Sequence, residues 1–148
     1  MLSIILADFL ALHGISENIE LPISFNKGET LITIDHYKRS GANDIVLYSY
    51  IADMPVNQEL TIYKILMDAN VLWSGTAGAT IGVQSETKKI IIAYHIVMES
   101  IEGNKLAAIF THFVELSTLW KKIIQENIYQ TSSEENRTIN NLMIVDKV

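Results

Sequence analysis

The stretch ANVLWSGTAGATIGV, residues 69–83, decides how the rest of the chain is read. An apolar, helix-like run ends at Trp73, and glycines follow at 75, 78 and 82. Glycines this dense could cradle a phosphate in a nucleotide loop. A Walker loop needs a lysine directly after its last glycine; Gly78 is followed by Ala79, and no lysine occurs between positions 65 and 87. The dinucleotide fingerprint lies between a strand and a helix, whereas these glycines come after a helix and before a strand. The remaining reading is packing. Gly75 ends the helix, and the small residues 76–82 let the next strand approach a neighbouring helix or a second copy of the chain.

Working backwards, residues 57–73 read as a helix with Asn57 as N-cap and Gly75 near its end. Its apolar residues Leu60, Ile62, Tyr63, Ile65, Leu66, Met67, Ala69, Val71, Leu72 and Trp73 nearly encircle it. A helix apolar all round is buried all round, and in a chain of 148 residues one face is expected to meet a second subunit. Before it, the period is two. Ile19, Leu21, Ile23 and Phe25 alternate with polar or proline positions, and Pro22, which has no N–H for a ladder, argues for a sheet edge. Strands at 30–37 and 44–51 follow, the latter with Val46, Tyr48 and Tyr50 on a face that nothing in the sequence obviously covers. Residues 2–13 carry Leu2, Ile5, Leu6, Phe9, Leu10 and His13 at helical spacing and stop at Gly14.

Working forwards, strands are expected at about 77–84 and 88–97. An amphipathic helix follows from about Asn104 to Ile128, with Leu106, Ile109, Phe110, Phe113, Leu116, Trp120, Ile123 and Ile124 as its stripe. Residues 129–148 are mostly polar and are expected to form a mobile tail behind a domain spanning 1–128. Helix, three-strand antiparallel meander, helix, two strands, helix is an α+β order rather than a doubly wound one.

Composition removes whole classes of function. Without cysteine there is no disulfide scaffold, zinc ribbon or thiol nucleophile. A net charge of −6 with scattered basic residues speaks against nucleic acid. The apolar N-terminus lacks a basic region and a small-x-small cleavage site, and carries Asp8, so it does not read as a signal peptide. No apolar run is long enough to span a membrane, and we expect a soluble, cytosolic protein. Histidines 13, 36, 95 and 112 match no metal-binding spacing, Ser74 and Ser117 lack a nucleophile-elbow context, and Glu20, Asp35 and Asp53 are not obviously paired. No enzyme, cofactor or metal is indicated.

The element order and the central motif resemble the class I chaperones of bacterial type III secretion, the Tir-chaperone family. The resemblance rests most on Leu66, Asn70 and Leu72 running into Gly75, Thr76, Gly78, Ala79, Thr80, Ile81 and Gly82, and covers residues 1 to about 128. It implies a cytosolic, non-enzymatic homodimer built on the second helix and the following strand, for which Ile62, Leu66, Ala69, Asn70, Trp73, Gly78 and Ile81 are the expected interface residues. It further implies that the N-terminal segment of a secreted effector is held extended until a secretion ATPase removes it. Fixing one residue costs roughly 1–2 kcal/mol, so each must bury on the order of 40–80 Å² of apolar area to break even. Broad grooves are therefore needed. We place them on the first helix and the meander, with Phe9, Leu21, Ile23, Phe25, Ile34, Val46 and Tyr48 as effector-binding residues. The competing readings are another homodimeric peptide-binding adaptor, and a small enzyme using a histidine at the dimer seam.

Overall fold

The computed structural model describes residues 4–15, 20–39 and 42–145. Helix α1 spans Ile4–Leu12, strands β1, β2 and β3 span Ile23–Lys27, Thr30–Arg39 and Ala42–Asp53, and helix α2 spans Glu59–Asn70. A 3₁₀ turn, Val71–Trp73, closes α2; strands β4 (Thr80–Gln84) and β5 (Lys89–Ile96), a second 3₁₀ turn (Met98–Ser100) and helix α3 (Gly103–Val145) complete the chain. The α+β order expected from the sequence is the order found.

The strands form one antiparallel sheet in the order β1-β2-β3-β5-β4. Directly opposed residues share a face, so the register sorts the side chains. One row, Phe25–Ile32–Ser49–Ile92–Ile81, crosses all five strands on the core face. Its polar member, Ser49, is buried but satisfied by donating to the Leu31 carbonyl at 2.9 Å. The adjacent row on the opposite face is Ser24–Thr33–Tyr48–Ala93–Thr80. Beside β1, α1 and α3 close over the core face, where the Phe110 ring lies 5.1 Å from Phe9 and stacks on Phe25 at 5.4 Å. The buried side of α3 follows a 4,3,4,3,4 spacing through Leu106, Phe110, Phe113, Ser117, Trp120 and Ile124, the stripe of a helix packed along one face.

Four expectations about element ends change. Asn57 is not the N-cap: it has φ +67°, the left-handed region Asn tolerates, and Gln58 occupies the cap position without a side-chain bond. Helix α2 stops at Asn70 rather than at 73, because Leu72 and Trp73 adopt φ +51° and +54°. β4 starts at Thr80 rather than 77, since Ala77 (φ +47°) and Gly78 (φ +93°) are left-handed and cannot be extended. Helix α3 does not end at Ile128; its backbone is helical through Val145, taking in most of the residues expected to form a tail. β1 begins at Ile23, directly after Pro22, and is an edge strand as the proline suggested, while Ile19 lies outside the described residues.

Candidate functional site

The glycine-rich stretch is a packed joint. Gly75 lies so close to α2 that an added Cβ would sit 2.9 Å from Ala69 Cβ and 3.0 Å from Ala69 Cα. Its N–H donates to the Ala69 carbonyl at 3.0 Å, and its own carbonyl accepts the indole N–H of the buried Trp120 at 3.1 Å. The joint is thus fixed to α2 on one side and α3 on the other. Gly78 faces the Tyr94 ring, which a Cβ would approach to 3.2 Å. Asn70, the last residue of α2, donates to the Ile81 carbonyl at 2.7 Å and accepts from the Ile81 N–H at 3.0 Å.

This rigid joint holds apolar side chains out to solvent. Leu72 is 86 % exposed and Trp73 56 %, both on left-handed backbone, a conformation that costs non-glycine residues of order 1–3 kcal/mol. Along α2, Leu60 and Met67 (each 69 % exposed), Tyr63 and Val71 continue the apolar surface. At 100° per residue these four lie within roughly 80° of arc, centred about 130° round the helix from the buried Ile62, Leu66 and Ala69. On β4, a Cβ added to Gly82 would meet open space.

A second apolar surface is the face of the sheet turned away from α1 and α3. It carries Val46, Tyr48, Tyr50 and Ile91, all half-buried or exposed, with Leu31 and Tyr37 also exposed. Tyr50 has its hydroxyl pKa raised above the usual 10.0, first by desolvation and then by the hydrogen bond and negative charge of Asp53; Lys89 Nζ lies 5.1 Å from its ring centroid. Here too His95 Nε2 meets the buried Asp44 Oδ2 at 2.8 Å. What lies against this imidazole is the Tyr37 ring at 4.5 Å, an aromatic contact rather than a nucleophile. His112 lines an apolar cleft of about 250 Å³ with Tyr94, Ala108, Ile109, Phe113 and Leu116. No cluster of three or more potential metal ligands occurs among the described residues.

The residues expected from sequence divide sharply. Of the dimer set, Ile62, Leu66, Ala69 and Ile81 belong to the chain's own core and have no surface to offer a partner. Asn70 is engaged within the chain, Gly78 rests on Tyr94, and Trp73 alone presents a large apolar surface. Of the effector set, Phe9 and Ile34 are core, Phe9 under Phe110 and Ile34 fully enclosed. Leu21, Ile23 and Phe25 are half-buried beside the sheet edge, and Val46 and Tyr48 sit on the opposite face, so the seven residues do not form one groove. The exposed α2 stripe was present in the apolar inventory of the helix, but periodicity does not say which of two apolar arcs faces inward.

Exposed apolar surfaces on this topology coincide with a family match over residues 11–121, three quarters of the chain. The chain belongs to the Tir chaperone protein (CesT) family. The resemblance to class I type III secretion chaperones is thereby shown, and with it the function class: an effector-binding chaperone of type III secretion. Three solved structures share the fold. One is the ExsC–ExsE complex, 17 % identical with a TM-score of 0.64, covering 80 % of this chain and 89 % of that one. Another is the ExoU–SpcU complex from the type III secretion system of Pseudomonas aeruginosa (10 %, 0.63, 78 % and 94 %). The third is the HopA1–SchA chaperone–effector complex (11 %, 0.57, 80 % and 91 %). No curated protein matches in sequence. Among the described residues, no helix is long and apolar enough to cross a membrane.

Proposed function

We propose that the chain acts in the bacterial cytosol as a non-enzymatic homodimer that holds the N-terminal segment of one or more effectors extended and ready for secretion, until the secretion ATPase takes it over. The family match over residues 11–121 carries this reading. The dimer is assigned to the exposed face of α2 and its joint: Leu60, Tyr63, Met67, Val71, Leu72 and Trp73. Covering what remains exposed of such side chains gains about 1–2 kcal/mol each. Twelve of them across two copies give on the order of 15 kcal/mol, enough to offset an association cost of about 4–15 kcal/mol. Dimerisation therefore needs the whole stripe rather than one residue.

The client is assigned to the β1 side, where Ile23 and Phe25 lie in the edge strand and Leu21 just before it, and to the outer sheet face with Val46 and Tyr48. Strand addition would satisfy the client's main chain, and these apolar side chains would receive alternate client residues. Co-expression of the chain with the effectors encoded beside it tests the reading. The bound client segment is expected to exchange its amides as an extended chain and to resist proteolysis only in the complex. Leu21→Asp with Ile23→Asp, in protein that circular dichroism shows to be folded, should release it while α2 variants should not. Retention by these β1-side variants, together with Val46→Asp and Tyr48→Asp, would overturn the assignment.

A further inference from the structure

The sheet has two edges, and the structure treats them differently. In an antiparallel pair, main-chain groups point alternately toward the partner strand and away from it. Both polar groups of Ile81 go to the Asn70 side chain, so Ile81 points away from β5, toward the free edge of β4. By the same alternation, the next residue pointing outward is Val83. β4 is five residues long, so its edge offers an incoming strand two such positions, and the amide of Asn70 already fills the first with one donated and one accepted bond. Asn70 is held for this by the end of α2, whose Leu66 and Ala69 are buried, and by Gly75 packed against Ala69. At the other end of the sheet, β1 is paired by β2 over Ile23–Lys27, and its second side carries no comparable side-chain bond among the described residues.

We propose that Asn70 is a latch on the β4 edge. It closes that edge to an added strand, whether from a client or from a second copy, and leaves β1 as the edge of this sheet that accepts one. Unpaired edges invite strand addition, and proteins block the unwanted ones by specific devices. An asparagine mimics a strand here because its side chain presents the same donor and acceptor pair as a peptide group. This deepens the chaperone reading by assigning the client strand to one edge per protomer. It also requires that two copies join by side-chain packing of α2 rather than by a sheet continued from β4 to β4.

The test uses the free protein and no effector, so its outcome is independent of whether a client is found. In the wild-type protein the Ile81 amide is expected to exchange about tenfold or more slowly than that of Val83. In Asn70→Leu, Ile81 should exchange as fast as Val83, and sedimentation velocity should reveal species larger than wild type that grow with concentration. Adding Val83→Pro, which removes the other outward N–H, should abolish them. Where the leucine variant does not fold, Asn70→Asp keeps the acceptor for the Ile81 N–H, loses the donor to its carbonyl, and is expected to self-associate in the same way. Equal exchange of Ile81 and Val83 in the wild type, or folded Asn70 variants of unchanged size, would overturn the latch.

Discussion

Gly75→Ala tests whether the glycine-rich stretch is packing. Gly75 is not left-handed, so alanine meets no backbone penalty there, and its whole effect is steric. The new methyl carbon would sit 2.9 Å from Ala69 Cβ and 3.0 Å from Ala69 Cα, where carbon atoms at rest keep about 3.5–4.0 Å. Either α2 or the joint must therefore move by roughly half an ångström or more. Movement of the joint strains the Gly75–Trp120 and Asn70–Ile81 bonds together. Overpacking of this kind costs about 1–3 kcal/mol, and in a domain of this size each kcal/mol lowers the melting temperature by about 2–4 °C.

The partner variant Ala69→Gly removes one of the two clashing atoms and itself costs about 1 kcal/mol in helix propensity. In that background Gly75→Ala should cost less, with a coupling on the order of 1 kcal/mol, but not nothing, because the Ala69 Cα stays. Urea unfolding of the four proteins at one fixed concentration measures the cycle, since the stability of the proposed dimer depends on concentration. An undiminished cost in the Ala69→Gly background, or no cost at all, would refute the packing argument.

On α2, Tyr63→Glu with Met67→Glu should leave the fold intact by circular dichroism and convert the proposed dimer to monomer in sedimentation. Leu66→Glu, one turn away on the buried arc, should prevent folding instead. Trp120→Phe keeps most of the packing but deprives the Gly75 carbonyl of its donor; a loss of about 1–3 kcal/mol in urea unfolding is expected. Tyr50 titrates higher folded than unfolded, so the folded state holds its proton more tightly. The stability linked to it is complete below pH 10.0 and lost as pH rises through the folded value. Ultraviolet titration should show Asp53→Asn lowering that pKa only in part, because desolvation is the larger cause.

The order of elements was legible because the hydrophobic period switches between 3.6 and two at each boundary. The ends of α2 and β4 were not, since Leu72, Trp73 and Ala77 take left-handed backbone that no glycine announces. Surfaces were harder still. Ile62 and Met67 are equally apolar in sequence, yet packing encloses the first and leaves the second exposed. Ile34 and Tyr48 alternate correctly along their strands, yet the register puts them on opposite faces. Asn70 stood out as a motif residue, but its bond to Ile81 depends on a strand eleven residues on.

Native mass spectrometry of the chain co-expressed with the effector encoded beside it bears most directly on the whole account. It is expected to show two copies of the chain with one client whose N-terminal segment is extended, and, without client, the pair of copies alone. A single copy at micromolar concentration, binding no client, would contradict it.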